Sequence, residues 1–372
     1  MNIAFCLFNY FPYGGLQRDF IRIAKSCKHR GHTVHVYTMR WEGDLEPGLH
    51  IHILSVEGWQ NHVRNHLFAE KVKAELDKHH YDVVVGFNKM PYLDVYYAAD
   101  VCFQSRVRER HGWWYRCLPR YRQLVALEQA IFAKGKQTDI LLIAKQQQKE
   151  FIQHYQTEEN RFHLMPPGID KDRMAPINAD SIRSQLRSDF HIGYEDILLL
   201  MVGSGFKTKG LDRAIRGLAA LPPSLKEITH LFVIGDDKPD AFQALADKLN
   251  VGEHIQFLGG RSDVPHFLLS ADLLVHPAYH ENTGTVLLEA VVSGLPVLTV
   301  DVCGYAHYIH EARAGVVLPS PFKQAVFNDA LQKMVLSPEL HEWKQNGLAF
   351  ANTADIYGLV DRVTRFIETR GQ

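Results

Sequence analysis

HPAYHENTGTVLLEAVVSGLPVLTVDVCGY, residues 276–305, reads as the end of a buried strand, a loop, a glycine, a helix and a second buried strand. Two glutamates stand eight residues apart in it, Glu281 and Glu289. Glu281 falls in the loop. Gly284 lets the backbone approach a ligand closely and opens the helix. Glu289 falls about a turn and a half into that helix. The N–H groups of Gly284, Thr285 and Val286 then form an anion seat at the helix N-terminus. This layout fits a nucleotide diphosphate sugar, with N–H groups for phosphates, Glu281 for sugar hydroxyls and Glu289 for the ribose. The bland alternative is a solvated helix with two surface glutamates. Against it, Glu289 is embedded in VLLEAVVSGLPVL, where an unpaired charge is costly.

Outward from this stretch, short apolar runs alternate with helical patterns. Strands are expected at 2–8, 33–38, 51–56, 82–87, 140–144 and 161–165. A second series is expected at 197–202, 230–234, 254–258, 273–276 and 297–300. Strand–helix alternation points to an α/β fold with parallel doubly wound sheets. The run Met165-Pro-Pro-Gly-Ile-Asp170 interrupts the alternation and marks a domain boundary. The expected division is 1–165, 166–354 and an amphipathic C-terminal helix, about 355–372, returning to the first domain. A chain of 372 residues is long enough for two cores.

Two more strand-to-helix loops carry candidate ligands. FPYGGLQRD, residues 11–19, offers two glycines for close approach, including Gly15, and a carboxylate, Asp19, projecting from the first helical turn. The bland reading of Asp19 is a carboxylate serving only the helix dipole. VGSGFKTKG, residues 202–210, fails as GxGxxG, because Thr208 stands at the third glycine. It fails as a P-loop, because Leu211 and Asp212 follow Gly210. What remains is a flexible loop with Lys207 and Lys209 at a helix N-terminus. Cations there oppose the dipole and call for an anionic partner, which a diphosphate supplies. Asp170-Lys-Asp172 resembles a metal-binding DxD but sits in the boundary segment, and we read it as linker. Arg173 beside it is expected either to reach phosphates or to close the domains.

The formal net charge of −1 gives no global nucleic-acid or membrane signal. Five scattered cysteines show no CxxC or metal spacing, which suits a reducing cytosol. The N-terminus lacks a basic leader, and no apolar run reaches the ~20 residues of a spanning helix. Residues 103–132 stand apart. Arg106, Arg108, Arg110, Arg116, Arg120 and Arg122 face Glu109 and Glu128, a local balance of 6 − 2 = +4, with Trp113, Trp114 and Tyr115 among them. Such interleaving suits an anionic headgroup surface or glycolipid, and also single-stranded nucleic acid. A flap over the core with solvated arginines is the plain alternative.

Together with the two-glutamate run, YFPYGGLQRDF (10–20), GFNKMP (86–91) and VCGYAHYI (302–309) resemble the lipopolysaccharide core glucosyltransferase I family of Gram-negative bacteria. That family lies among the GT-B retaining glycosyltransferases with the Glu-x7-Glu signature. The resemblance covers nearly the whole chain. It implies a GT-B fold, two Rossmann-like domains facing a cleft, with nucleotide mostly on the C-terminal one. It implies transfer of a sugar from a UDP-sugar to an inner-core heptose with retention. The enzyme would be cytoplasmic and peripheral on the inner membrane, with the lipopolysaccharide core and the anionic membrane surface as partners and no nucleic acid. By matching motif, Gly15, Asp19, Lys209, Glu281, Gly284, Val286 and Glu289 fall at donor-site positions, and Arg173 and Arg261 join them. Glu281, Lys209 and Asp19 would carry the chemistry. Asn282, Thr283 and Thr285 line the sugar-facing loop. The family's basic pair is replaced here by Thr208-Lys209, with Lys207 displaced by one, so glucose and an N-acetylhexosamine both stay open as donor. No cofactor or metal is implied, the UDP-sugar being a substrate. The rival readings are a GT-B phosphorylase, a nucleotide-sugar epimerase, and a non-catalytic membrane-binding adaptor.

Overall fold

The computed structural model describes residues 1–12, 14–110 and 113–372, without the side chains of residues 108–110. Tyr13 of the first loop and the side chains of Arg108 and Arg110 therefore lie outside the described residues. The chain forms two compact units, Met1–Gly168 with Tyr357–Gln372, and Ile169–Ile356.

The first unit holds β1 (Asn2–Cys6), β2 (Asn9–Tyr10), β3 (Thr33–Thr38), β4 (Arg40–Trp41), β5 (His50–Ile53), β6 (Val83–Gly86), β7 (Val95–Ala98), β8 (Asp139–Leu142) and β9 (Phe162–Leu164). Its main sheet has the order β5-β3-β1-β6-β7-β8-β9, and β2 pairs with β4 alone. The second unit holds β10 (Ile197–Val202), β11 (Thr229–Ile234), β12 (Ile255–Phe257), β13 (Leu273–His276), β14 (Val297–Val300) and β15 (Gly315–Leu318). Its order is β12-β11-β10-β13-β14-β15. Every pairing in both sheets is parallel. Each order runs outward from its first strand and then reverses, as in a doubly wound sheet. The reversal lies between β1 and β6 in one unit and between β10 and β13 in the other. Ligands of such sheets bind at the C-terminal strand ends beside that reversal. The loops following β10 and β13 are the two lysine- and glutamate-bearing segments.

Strands covered on both faces read as continuous apolar runs. In β10, Leu198, Leu199, Leu200 and Met201 are all buried. The helix Leu359–Arg370 places Leu359, Val363 and Ile367 four residues apart on one face. They pack with Phe20, Ile23, Ala24 and Cys27 of the helix Gly15–His29. Each such side chain contributes about 1.5–3 kcal/mol on burial.

Three local expectations are corrected. β7, at the heart of the first sheet, was not among the expected strands. Its four residues, VYYA, are all buried, and periodicity does not separate so short a run from a loop. Residues 203–210 are not a flexible loop, since Phe206–Lys209 forms a helical turn between left-handed Gly205 and Gly210. Glu128 does not offset the surface arginines. It is fully buried, where it takes Lys89 Nζ at 2.5 Å, Tyr155 Oη at 2.5 Å and the Phe103 N–H at 2.9 Å.

Candidate active site

Two loops build the centre of the second unit. The helix Thr285–Val292 starts from Gly284, which is left-handed (φ 80°) and carries no side-chain cap. A left-handed φ favours glycine. The uncapped N-terminus keeps its first N–H groups for an anion. The segment before it is pinned from outside the helix. Tyr305 N–H donates to Thr283 O at 2.7 Å, and Glu281 bridges in parallel to Cys303. The VCGY run therefore forms the backing of the Asn282-Thr283 loop.

The lysine loop is clamped to the glutamate loop. Tyr279 N–H donates to Thr208 O at 2.8 Å. A Cβ on Gly210 would stand 2.0 Å from Pro277 O, so only glycine permits this approach. Arg213 stacks between Tyr279 (3.5 Å) and Phe322 (3.8 Å) and donates to Pro277 O and Ala278 O.

Lys209 Nζ meets Glu281 Oε2 in an ion pair. His276 Nε2, at the end of β13, lies 3.3 Å from the same oxygen. Burial works against the Glu281 charge, yet the His276 hydrogen bond and the Lys209 ammonium hold its carboxyl at about 2. Burial pushes the adjacent Cys303 thiol up to about 12, so it stays neutral. Glu289 sits half-buried on the fifth position of the helix. The geometry thus supplies a fixed anionic acceptor, a cation and an anion seat side by side. Such a set suits a phosphorylated, hydroxyl-rich ligand.

The structure distributes the other expected residues differently. Lys207 does not join the group. Its anionic partner is Asp212 (3.0 Å), which also takes Tyr279 Oη (3.0 Å) and Arg216 (2.9 Å). Arg261 forks onto Asp263 at 2.8 and 2.7 Å, and Arg173 approaches Asp172 at 3.5 Å. Val286 packs partly against the core. In the first unit, a Cβ on Gly15 would meet nothing within 4 Å. Asp19 is the fifth residue of its helix, so it projects from the second turn, and Tyr97 Oη donates to it at 2.8 Å. Asp170 precedes the short 3-10 turn Lys171–Arg173, and Asp172 lies within it. Among the described residues, no group of three or more His, Cys, Asp or Glu is placed to hold a metal ion. Sequence reasoning missed His276. Its signal was a polar residue ending the buried run LLVH.

The family pattern of glycosyl transferases group 1 matches residues 183–350, and that of glycosyltransferase family 4 matches residues 13–173. The chain is 47% identical over 368 residues to the lipopolysaccharide glucosyltransferase WaaG of Escherichia coli strain K12, covering 99% of this chain and 98% of that one. The chain belongs to the WaaG family of lipopolysaccharide glucosyltransferases. A crystal structure of WaaG, described as a glycosyltransferase involved in lipopolysaccharide biosynthesis, superposes with a TM-score of 0.92 over 98% of this chain and 99% of that one. Anabaena HepE in complex with UDP-glucose shares the fold, at 18% identity and a TM-score of 0.76, over 99% of this chain and 100% of that one. The fold is therefore GT-B, built from two Rossmann-type sheets.

Within this family site, Glu289→Ala should weaken UDP by roughly 1–3 kcal/mol, the loss of a charge-assisted hydrogen bond. Titration calorimetry with UDP checks this. Unchanged affinity would remove Glu289 from the ribose.

Proposed function

We propose that this chain moves a hexose or N-acetylhexosamine from a UDP-sugar to a heptose of the lipopolysaccharide inner core, with retention. The observation that supports this most is the Lys209–Glu281 pair beside the uncapped helix N-terminus, at the reversal of the strand order. The glycosidic C–O bond breaks, and its electron pair stays on the β-phosphate oxygen. Lys209 and the helix N-terminus stabilise the charge that grows there. The acceptor oxygen bonds to the sugar on the face just vacated, and its proton passes to the departing diphosphate. No separate base is required, and the two-carboxylate scheme of glycosidases does not apply, since no water attacks. Glu281 orients the donor hydroxyls, and Glu289 holds the ribose.

UDP release with and without heptosylated acceptor tests the reading. Release only with acceptor supports transfer. No release under any condition supports a non-catalytic adaptor. The cations in this scheme are side chains, so EDTA should leave turnover within about twofold. A strict Mn²⁺ or Mg²⁺ requirement would return Asp170 and Asp172 to the site.

The arginine–aromatic segment serves the same reading. It comprises the helix Phe103–Arg110, a 3-10 turn Trp113–Cys117 and the helix Pro119–Phe132. Phe103, Val107 and Val125 form its own small core. Outward stand Trp113 (80% exposed), Trp114 (57%) and Leu118 (38%), with Arg106, Arg116, Arg120 and Arg122 exposed around them. Large apolar surface rimmed by cations fits an anionic bilayer, here the cytoplasmic leaflet that carries the acceptor. Among the described residues no helix is long and apolar enough to cross a membrane. Each arginine near such a surface adds on the order of 1 kcal/mol, within a Debye length of ~8 Å. Changing Arg106, Arg116, Arg120 and Arg122 together to Gln should abolish most cosedimentation with anionic vesicles and leave UDP affinity unchanged. Undiminished cosedimentation would make the segment a solvated flap.

A further inference from the structure

His276 ends the apolar strand β13 with its side chain 0% exposed. An imidazole is costly to bury among apolar residues unless its polar atoms are used. One of them is used, since Nε2 lies 3.3 Å from Glu281 Oε2. Nδ1 has no hydrogen-bond partner among the described residues. A carboxylate only accepts, so a neutral ring places its single proton on Nε2 and leaves Nδ1 bare.

Lys209 takes the same oxygen, Oε2. Both donors therefore pull on one side of the carboxylate. Among the described residues none donates to Oε1. The backbone holds this geometry from both ends. Thr299 Oγ1 donates to His276 O at 3.0 Å, and Gly304 N–H donates to Glu281 O at 3.3 Å. Lys209 is also the cation that a diphosphate recruits. When it turns toward phosphate, the bond from His276 is the one that stays with Glu281.

We infer that His276 is a positioning residue for the transfer: it holds Glu281 by Oε2 and presents Oε1 to the donor sugar while Lys209 serves the diphosphate. The inference rests on the reading of Glu281 as the residue that orients the donor hydroxyls. It adds to that reading a division of labour between two donors that meet on one oxygen. The Lys209 side chain is partly exposed (21%) and free to follow the charge in this scheme, whereas His276 is fully buried and keeps the angle. A side chain aimed wrongly by an ångström is enough to lower turnover a hundredfold.

The test compares His276→Phe, which fills similar space without a donor, with His276→Gln, which keeps an N–H at similar reach. Both are made in the full chain. UDP affinity, turnover with heptosylated acceptor and the pH profile of kcat are measured. His276→Phe should lower kcat about tenfold to a hundredfold with UDP affinity within about threefold. His276→Gln should recover kcat to within about fivefold. The ionisable groups facing Glu281 are His276 from β13, Lys209 from the helical turn and the neutral Cys303 thiol from the segment after β14. With one partner removed, the Glu281 carboxyl should titrate higher, so the loss of kcat that its protonation causes should move to higher pH in the Phe variant and lie between in the Gln variant. Should His276→Phe fail to fold, His276→Met takes its place in the comparison. Equal losses in the apolar and Gln variants, with no shift of the acid limb, would make His276 a packing residue and overturn the inference. So would full kcat in the apolar variant. Glu281→Gln is run alongside. Full activity there sinks the reading of Glu281 itself, whereas an inactive Glu281→Gln with a fully active His276→Phe sinks only the role of His276.

Discussion

Glu281→Gln is expected to lower turnover about a hundredfold to a thousandfold while UDP still binds within about threefold. The substitution keeps the shape and one acceptor oxygen but removes the charge. On the proposed reading, the lost charge is the one that strengthens hydrogen bonds to donor hydroxyls as the sugar becomes cationic in the transition state. UDP carries no such hydroxyls, so its affinity is spared. Protonation does not mimic the variant at working pH, because the carboxyl is held at about 2. The sign follows from that depression. Above its ordinary value near 4.5 the ionised carboxylate contributes its full stabilisation to the fold, and this is lost as pH falls toward about 2. An acid limb of kcat above pH 4 in the parent enzyme therefore belongs to another group. Steady-state turnover with calorimetric UDP binding decides the matter. A variant that turns over normally, or one that no longer binds UDP, would remove Glu281 from the sugar.

Lys209→Ala should lower kcat by about 10²–10³-fold and weaken UDP by less, on the order of tenfold. The diphosphate gains negative charge only as the glycosidic bond breaks, so the cation matters most there. The variant has a second, measurable consequence. Lys209 is one of the two donors on Glu281 Oε2, and its loss leaves a mostly buried carboxylate with His276 alone. The carboxyl should then titrate above its parental value. Its stabilising contribution should be lost at higher pH on acidification than in the parent. Thermal unfolding midpoints across pH 3–7 read this directly. Combining Lys209→Ala with Glu281→Gln should restore the midpoint but not the turnover. Full activity in Lys209→Ala would identify Arg173 or Lys207 as the phosphate partner instead.

The vocabulary of this protein was legible in the chain. The alternation of apolar runs with helical patterns gave two parallel sheets, because strands covered on both faces have no polar side to show. Gly284 was legible as a point of close approach, and it is left-handed in the structure. Glu281 and Glu289 stood out by spacing and by apolar surroundings. These are local properties, carried by a few neighbouring residues and fixed by backbone sterics and by the cost of burying charge.

The grammar came from tertiary structure. The order β12-β11-β10-β13-β14-β15 brings the loop after β10 beside the loop after β13, so that Lys209 meets Glu281 across 72 residues of sequence. No periodicity encodes that pairing. The same convergence selects between two lysines that look alike in sequence. Lys207 turns to Asp212, and Lys209 points into the site. It moves Glu128 from the surface balance to a fully buried bond with Lys89, and makes a strand of the unpatterned VYYA. It also gives His276 its partner. Side-chain partners are chosen by distance in the folded state, and that distance is set by which strands pair. The sequence by itself determined the two parallel sheets, the glycine that opens the glutamate helix and the pair of glutamates around it. Only the fold decided which charges meet, because strand pairing is a non-local choice made by the packing of whole sheets.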